Sequence, residues 1–266
     1  MKIHVIKMSA QEIDEIVTRR REFLGALDEA PATKPELVNR LATSRSTVDR
    51  AIDELERLRL VHRPDNEYAL TLAGKQAYER HRSYLSHLEH LSAADDILAS
   101  LPPDVPFTLE LLDGAIVEQA EPHNPLQPLD AATEVLSEAT QLRQVSPAIF
   151  PVCMEVLNER ADGDGLDVAV VATPDVIDAM HEEYRDDLTW VGSDGNQLYR
   201  TDTSPPYGLW VAETPESTYT GLLCHSDTGV RGLIINDDED VAEWALDEYS
   251  RYEQRADPVD GLADRA

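Results

Sequence analysis

Arg45, Ser46, Thr47 and Arg50 stand within the first two turns of the run Ser44–Leu60, SRSTVDRAIDELERLRL. Arginine can donate two parallel hydrogen bonds to guanine O6 and N7 or to a phosphate, and serine and threonine hydroxyls donate to either. Four such residues near one helix start suit a duplex whose major groove the helix enters. The opposite face is built to pack. With Val48 as reference, Ala51, Ile52 and Leu55 fall within about 60° of it, whereas Ser46, Arg50 and Asp53 fall on the far side. Ser44 is the expected N-cap, because its hydroxyl can accept from a free N–H of the first turn.

The elements that must position this helix are legible on both flanks. Upstream, Glu12–Leu27 carries Ile13, Ile16, Val17, Phe23, Leu24 and Leu27 at helical spacing. Lys34–Val38 opens another helix with Pro35 in its first turn, and Ala42-Thr43 is a tight turn. Downstream, Leu60–Arg63, the turn Pro64-Asp65-Asn66 and Tyr68–Leu72 read as a short hairpin with Arg63 and Asn66 near its tip. Helix, helix, helix, hairpin is the order of a winged helix-turn-helix, whose third helix enters the major groove while the wing meets the backbone. The bland alternative is a three-helix core with a decorative hairpin. The functional reading makes Arg45, Ser46, Thr47, Arg50, Arg63 and Asn66 the DNA-binding residues and double-stranded DNA the partner.

A net charge of −29 runs against a polyanion partner, but the charge is not spread evenly. Residues 1–91 hold 15 Lys+Arg and 15 Asp+Glu, leaving 8 against 37 for residues 92–266. The repulsive charge therefore lies almost wholly outside the reader. Lysine is confined to Lys2, Lys7, Lys34 and Lys75. This acidic, lysine-poor surface is expected of a cytoplasmic protein from a halophilic archaeon, where a Debye length of about 3 Å in molar salt removes long-range repulsion. No apolar run reaches the roughly 18 residues of a membrane span and no export signal opens the chain, so neither membrane nor secretion is expected. The two cysteines, Cys153 and Cys224, lie among apolar neighbours and read as packing residues. Neither they nor His62, His81, His87 and His90 form a metal-ligand pattern, so no metal and no cofactor is expected.

Leu72–Leu91 reads as one helix with Tyr78, Tyr84, Leu85, Leu88 and Leu91 available for a seam. Because one winged domain covers few base pairs, twofold pairing along this helix into a homodimer is expected. From Ser92 the pattern changes. Asp95–Leu101 is a short helix stopped by Pro102-Pro103, Glu121–Pro128 a proline-spaced loop, and Ala131–Leu142 a helix. LDVAVVA at Leu166–Ala172 is a buried strand, followed by a helix over Pro174–Tyr184. Short strands follow at Leu188–Val191, Gln197–Arg200, Gly208–Glu213, Tyr219–His225 and Val230–Ile235, closed by a helix from Glu239 to Tyr252. The fold class is α+β: an N-terminal winged helix-turn-helix over 1–72, a linker or dimerisation helix over 73–100, an α/β mixed-sheet domain over 101–256, and a disordered acidic tail over 257–266.

The winged domain together with LPPDVP at Leu101–Pro106, EPHNPLQPL at Glu121–Leu129, PYGLWV at Pro206–Val211 and RGLIIN at Arg231–Asn236 resembles archaeal regulators carrying a FilR-type sensor domain. That domain was first described as the middle domain of a methanogenesis regulator. The resemblance covers roughly residues 12–255 and is most specific at RGLIIN and the Trp244-bearing helix. It implies a transcription factor with an N-terminal DNA reader and a C-terminal domain that senses an effector or partner. The sensor is similar, by the same analogy, to the phospholipase-D-like effector module of sugar-responsive archaeal regulators.

That analogy supplies a rival reading, a phosphodiesterase, which needs a histidine with a lysine two residues on. No lysine follows Lys75, His123 precedes Asn124-Pro125, and His181 precedes Glu182-Glu183. Enzyme activity is therefore not expected. A thiol redox switch through Cys153 or Cys224 is a second rival, weakened because nothing basic stands beside either. A pocket for a small-molecule effector should gather polar and aromatic groups over apolar walls, and the candidates are His123, Arg200, Tyr207, Trp210, Arg231 and Asn236. Arg200 and Arg231 are rare positive charges in this half and would suit an anion.

Overall fold

Hydroxyl caps start three helices of the N-terminal unit. Ser9 accepts from the Glu12 N–H at the head of α1 (Ala10–Arg19), and Ser44 from the Thr47 N–H at the head of α4 (Arg45–Arg57). Thr33 and Glu36 form a reciprocal capping box on α3 (Lys34–Arg40). In this computed structural model, residues 9–161, 165–184, 191, 196–226 and 229–259 are described. The chain divides into two units, residues 1–88 and 89–266.

The single helix read over Glu12–Leu27 is two, α1 and α2 (Arg21–Glu29), with a break at Arg20 (φ −113°, ψ 18°). Apolar spacing cannot reveal this break: Arg20 N–H still bonds Ile16 O at 2.8 Å, so the turn count survives while the direction changes. The side chain of Arg20 is held by Glu54 of α4 at 2.8 Å. Ile16, Val17, Phe23, Leu24, Leu37, Val48, Ile52 and Leu55 close one buried core.

The turn from α3 into α4 is a Schellman ending. Thr43 N–H bonds Val38 O at 3.2 Å and Ala42 N–H bonds Asn39 O at 3.4 Å, with Ala42 in the left-handed region at φ 48°. An L-residue with a Cβ pays about 1 kcal/mol there relative to glycine. Ala42 is exposed, so Ala42→Gly is expected to stabilise the N-terminal unit by about 1 kcal/mol. A lower midpoint in thermal unfolding would contradict the turn geometry.

Strands β1 (Val61–His62) and β2 (Ala69–Leu70) pair antiparallel across a two-residue turn. Asp65 and Asn66 take φ 45° and 72° and Glu67 N–H bonds Pro64 O at 2.9 Å, the type I′ geometry that matches strand twist. Ala32 adds a third rung through two bonds with Tyr68 at 2.8 and 3.0 Å. The wing is thus tied to the loop before α3. Helix α5 (Leu72–Ala93) then starts hard against the end of α4.

The second unit is an eight-stranded sheet. Its strands are β3 (Ile116–Gln119), β4 (Gln141–Ser146), β5 (Asp167–Ala172), β6 (Gln197–Arg200), β7 (Gly208–Glu213), β8 (Thr218–Ser226), β9 (Gly229–Asn236) and β10 (Asp257–Pro258). The order is β10-β6-β5-β4-β7-β8-β9-β3. Neighbours β4, β5 and β6 are parallel, and every other pair is antiparallel. Helices α7 (Gln127–Glu138), α8 (Pro151–Ala161) and α9 (Pro174–Glu183) pack on one face against Leu142, Val168, Val170, Trp210 and Leu223. The other face buries Val145, Val171, Leu209, Leu222 and Ile234 under α6 (Asp95–Ala99), a 3-10 turn at Leu109–Leu112 and α10 (Glu239–Glu253). The α+β class and the mixed sheet are as the sequence led one to expect.

Four details differ. The helix read as Ala131–Leu142 runs from Gln127 to Glu138, because Pro128 sits in its first turn, where a missing N–H costs nothing. Leu142 belongs instead to β4, the strand that is parallel to β5 on one side and antiparallel to β7 on the other, which the sequence reading passed over together with α8 and β3. Asp257 and Pro258 pair with Arg200 and Tyr199 of β6 and are not the start of a disordered tail. The strand read at Leu188–Val191 lies outside the described residues except for Val191, which is in a turn.

Candidate nucleic-acid interface

Ser44, Arg45, Ser46 and Arg50 are exposed and Thr47 is half-buried, all on the outward side of α4. The Ser44 hydroxyl shares hydrogens with Ser46 Oγ at 2.9 Å and Thr47 Oγ1 at 2.8 Å. Arg50 Nε donates to Ser46 O at 3.1 Å. The arginine therefore runs back along its own helix toward the N-terminus, whose positive end also favours an anion.

Several other cations of the unit are consumed in building it. Arg20 and Arg19 pair with Glu54 at 2.8 and 3.5 Å, and Arg57 with Glu12 at 2.5 Å. Arg40 donates to the Ala26 and Ala30 carbonyls at 3.2 and 3.1 Å. Arg45, Arg50 and Arg63, by contrast, make no ion pair among the described residues. Arg63 donates to Asn66 Oδ1 at 3.2 Å across the wing turn and stacks over the Tyr68 ring at 5.3 Å. Both wing residues named from the sequence thus hold each other at the tip.

Lys34 is a residue that sequence reasoning missed. Its Nζ lies 2.8 Å from Asp49 and 3.9 Å from Asp53, the two aspartates of the reading helix, and 5.7 Å from the Tyr68 ring centre. The hydrogen bond from Lys34 holds the Asp49 carboxyl below the usual range, and the same bond raises the Lys34 ammonium. Lys34 thereby offsets part of the negative charge that Asp49 and Asp53 bring to α4. Nothing in the spacing of Lys34 and Asp49 announces this pairing, since they sit on different helices.

The six effector candidates are scattered. His123 is exposed and pairs with Glu121 at 2.9 Å, and Arg200 lies 3.6 Å from Asp202 on the surface. Exposed Arg231 donates to Ser226 Oγ at 3.1 Å. Tyr207 is buried and donates to Pro106 O at 2.8 Å. Asn236 is also buried and donates to the Leu111 and Asp113 carbonyls at 3.1 and 2.9 Å, while its Oδ1 accepts from Asp238 N. Asn236 is a clamp between the 3-10 turn and α10. Only Trp210 borders the apolar cavity on the α7–α9 face. No anion site is assembled by Arg200 and Arg231.

A winged helix-turn-helix joined to an α/β unit defines a DNA-binding regulator class. Residues 125–255 match the family model of the methanogenesis regulatory protein FilR1 middle domain, and residues 12–93 match that of the HVO_A0261 N-terminal domain. The match over the C-terminal unit is the one that the resemblance at PYGLWV and RGLIIN implied. No curated relative matches the chain. Among solved structures, the archaeal chromatin protein TrmBL2, described with a novel mode of DNA binding, is 13% identical. That match covers 94% of this chain and 100% of that one, with a TM-score of 0.44. A phospholipase D family member, Nuc from Salmonella typhimurium, is 12% identical over 55% of this chain and 99% of that one, with a TM-score of 0.42. An IclR family regulator from Brucella abortus is 12% identical over 94% and 95%, with a TM-score of 0.24. At these scores none of the three bears on what the chain does.

Proposed function

We propose that the chain is a sequence-specific transcriptional regulator that grips duplex DNA with α4 and the wing, and whose C-terminal unit senses an effector or a partner. The observation that carries this reading is the placement of Arg45, Arg50 and Arg63, exposed at the head of α4 and at the wing tip with no ion pair among the described residues to withdraw them from a phosphate or a base. We read the charge of −29 as adaptation to molar salt, where phosphate repulsion is screened within about 3 Å. Mapping bound DNA across the genome of the native cell, with and without the gene, tests the reading; occupancy without discrete sites would reject it.

Two copies pairing along α5 would present two reading heads to successive major-groove faces. Tyr84 and Leu88, 58% and 43% exposed and one turn apart, support this seam. Light scattering at high salt is expected to give the mass of two chains. A monomer persisting at micromolar concentration, with and without operator, removes the pairing. The effector reading is favoured over a thiol switch because burial pushes Cys153 up to about 11 and Cys224 up to about 12. Neither offers a thiolate near neutral pH.

A further inference from the structure

Strand β4 breaks the pattern of the face it serves. Leu142 points inward under α7–α9, and the next two inward positions, where alternation calls for apolar residues, are Gln144 and Ser146. Gln144 Nε2 donates to Ser146 Oγ at 3.2 Å, and Ser146 Oγ donates to Ala148 O at 2.8 Å. His225 joins them from β8, two positions past Leu223 on the same face, where the pairing with β9 shifts by one residue and leaves Arg231 as the extra one. Bulges recur beside functional sites. Between the two strands, Gly208 of β7 contributes no side chain.

These groups border a cavity of about 50 Å³ whose remaining walls are apolar, among them Phe150, Met154 and Trp210. It lies at the carboxyl end of β4, under the loop that leads into α8, and at the β4–β7 junction where the sheet changes from parallel to antiparallel. That is where open α/β sheets take ligands. Among the described residues no lysine, arginine, aspartate or glutamate borders it. With no lysine or arginine to neutralise an anion and no carboxylate to neutralise a cation, burying a charge beside Gln144, Ser146 and His225 costs more than burying a neutral group that hydrogen-bonds to them.

We infer that this cavity is the effector site and that it takes a small, uncharged, mainly apolar molecule with one hydrogen-bonding group, read by the Gln144–Ser146 pair. This rests on the sensing role proposed above. The physical reason for the site is that a local rule is broken by three side chains at one end of one sheet face, which packing alone gives no cause to do.

Met154 and Met180 both border the cavity, so their methyl groups report on it directly. In the full-length protein with labelled methionine methyls, ethanol, whose own volume is close to that of the cavity, is expected to shift both resonances saturably, while acetate at equal concentration does not. Ala132→Leu, which fills the cavity, is expected to weaken ethanol binding by about tenfold or more. Gln144→Leu keeps the volume and is expected to weaken it by a similar factor, which guards against a filled variant that does not fold. Shifts that never saturate, equal shifts with acetate, or wild-type affinity in both variants would each overturn the site. Operator binding is followed separately by fluorescence anisotropy. Saturable ethanol binding with unchanged operator affinity upholds the cavity as a site and rejects the sensing role.

Discussion

Arg50→Ala is expected to weaken binding to a specific operator by about 1–3 kcal/mol, roughly 5- to 150-fold, if the guanidinium reads a base edge. The side chain is exposed and its single bond is to its own helix, at Ser46 O, so truncation leaves the core of Val48, Ile52 and Leu55 untouched. Loss of affinity is then a loss of contact and not of fold. Arg63→Ala is the informative comparison. At the wing tip a phosphate contact is expected, so affinity should fall about equally for all sequences and the log–log salt slope should flatten by about 1. Fluorescence anisotropy on an operator found by genome mapping, against a scrambled duplex, separates the two. Unchanged specific binding in both Arg45→Ala and Arg50→Ala would reject α4 as the reading head.

The second large effect is structural and lies at Gly74. A Cβ there would stand 2.0 Å from the Leu60 carbonyl oxygen and 2.9 Å from its carbon. That oxygen is not free to retreat, because it accepts the Thr71 N–H at 2.9 Å. The Thr71 hydroxyl in turn donates to Arg59 O at 2.7 Å and accepts from Gly74 N at 3.0 Å, locking the first turn of α5 to the end of α4. Gly74→Ala gains helix propensity but must push backbone from backbone, so a net loss of about 3 kcal/mol, the upper end for overpacking, is expected. Urea unfolding followed by amide exchange in α4 and α5 measures it. A wild-type midpoint would mean that α5 can back away from Leu60 at no cost, and that its register on the reader is loose.

The reading face, its N-cap and the wing turn were legible because each rests on local chemistry: a hydroxyl before a helix, a 3.6-residue stripe, and an Asp-Asn pair that tolerates positive φ. Strands β5, β7, β8 and β9 announced themselves by apolar runs bounded by turn residues. What one dimension could not carry was direction and partnership. The Arg20 break preserves periodicity while turning the chain, so spacing is blind to it. Lys34 and Asp49 meet only because α3 and α4 are crossed by the turn at Ala42.

The sharpest failure lies in β4. Gln141, Arg143, Gln144 and Ser146 look like a polar connection, yet they form the central strand of the second sheet. A strand is recognised in sequence by apolar alternation, and this one spends two inward positions on the Gln144–Ser146 pair beside a cavity. The candidates chosen instead, His123, Arg200 and Arg231, are conspicuous by residue type but sit at the surface on separate elements. Residue type and period therefore determined which segments fold and which helix is proposed to meet DNA. Which polar groups converge in the second unit was decided by strand order and pairing register, because those alone bring Gln144 and His225, 81 positions apart, onto one cavity.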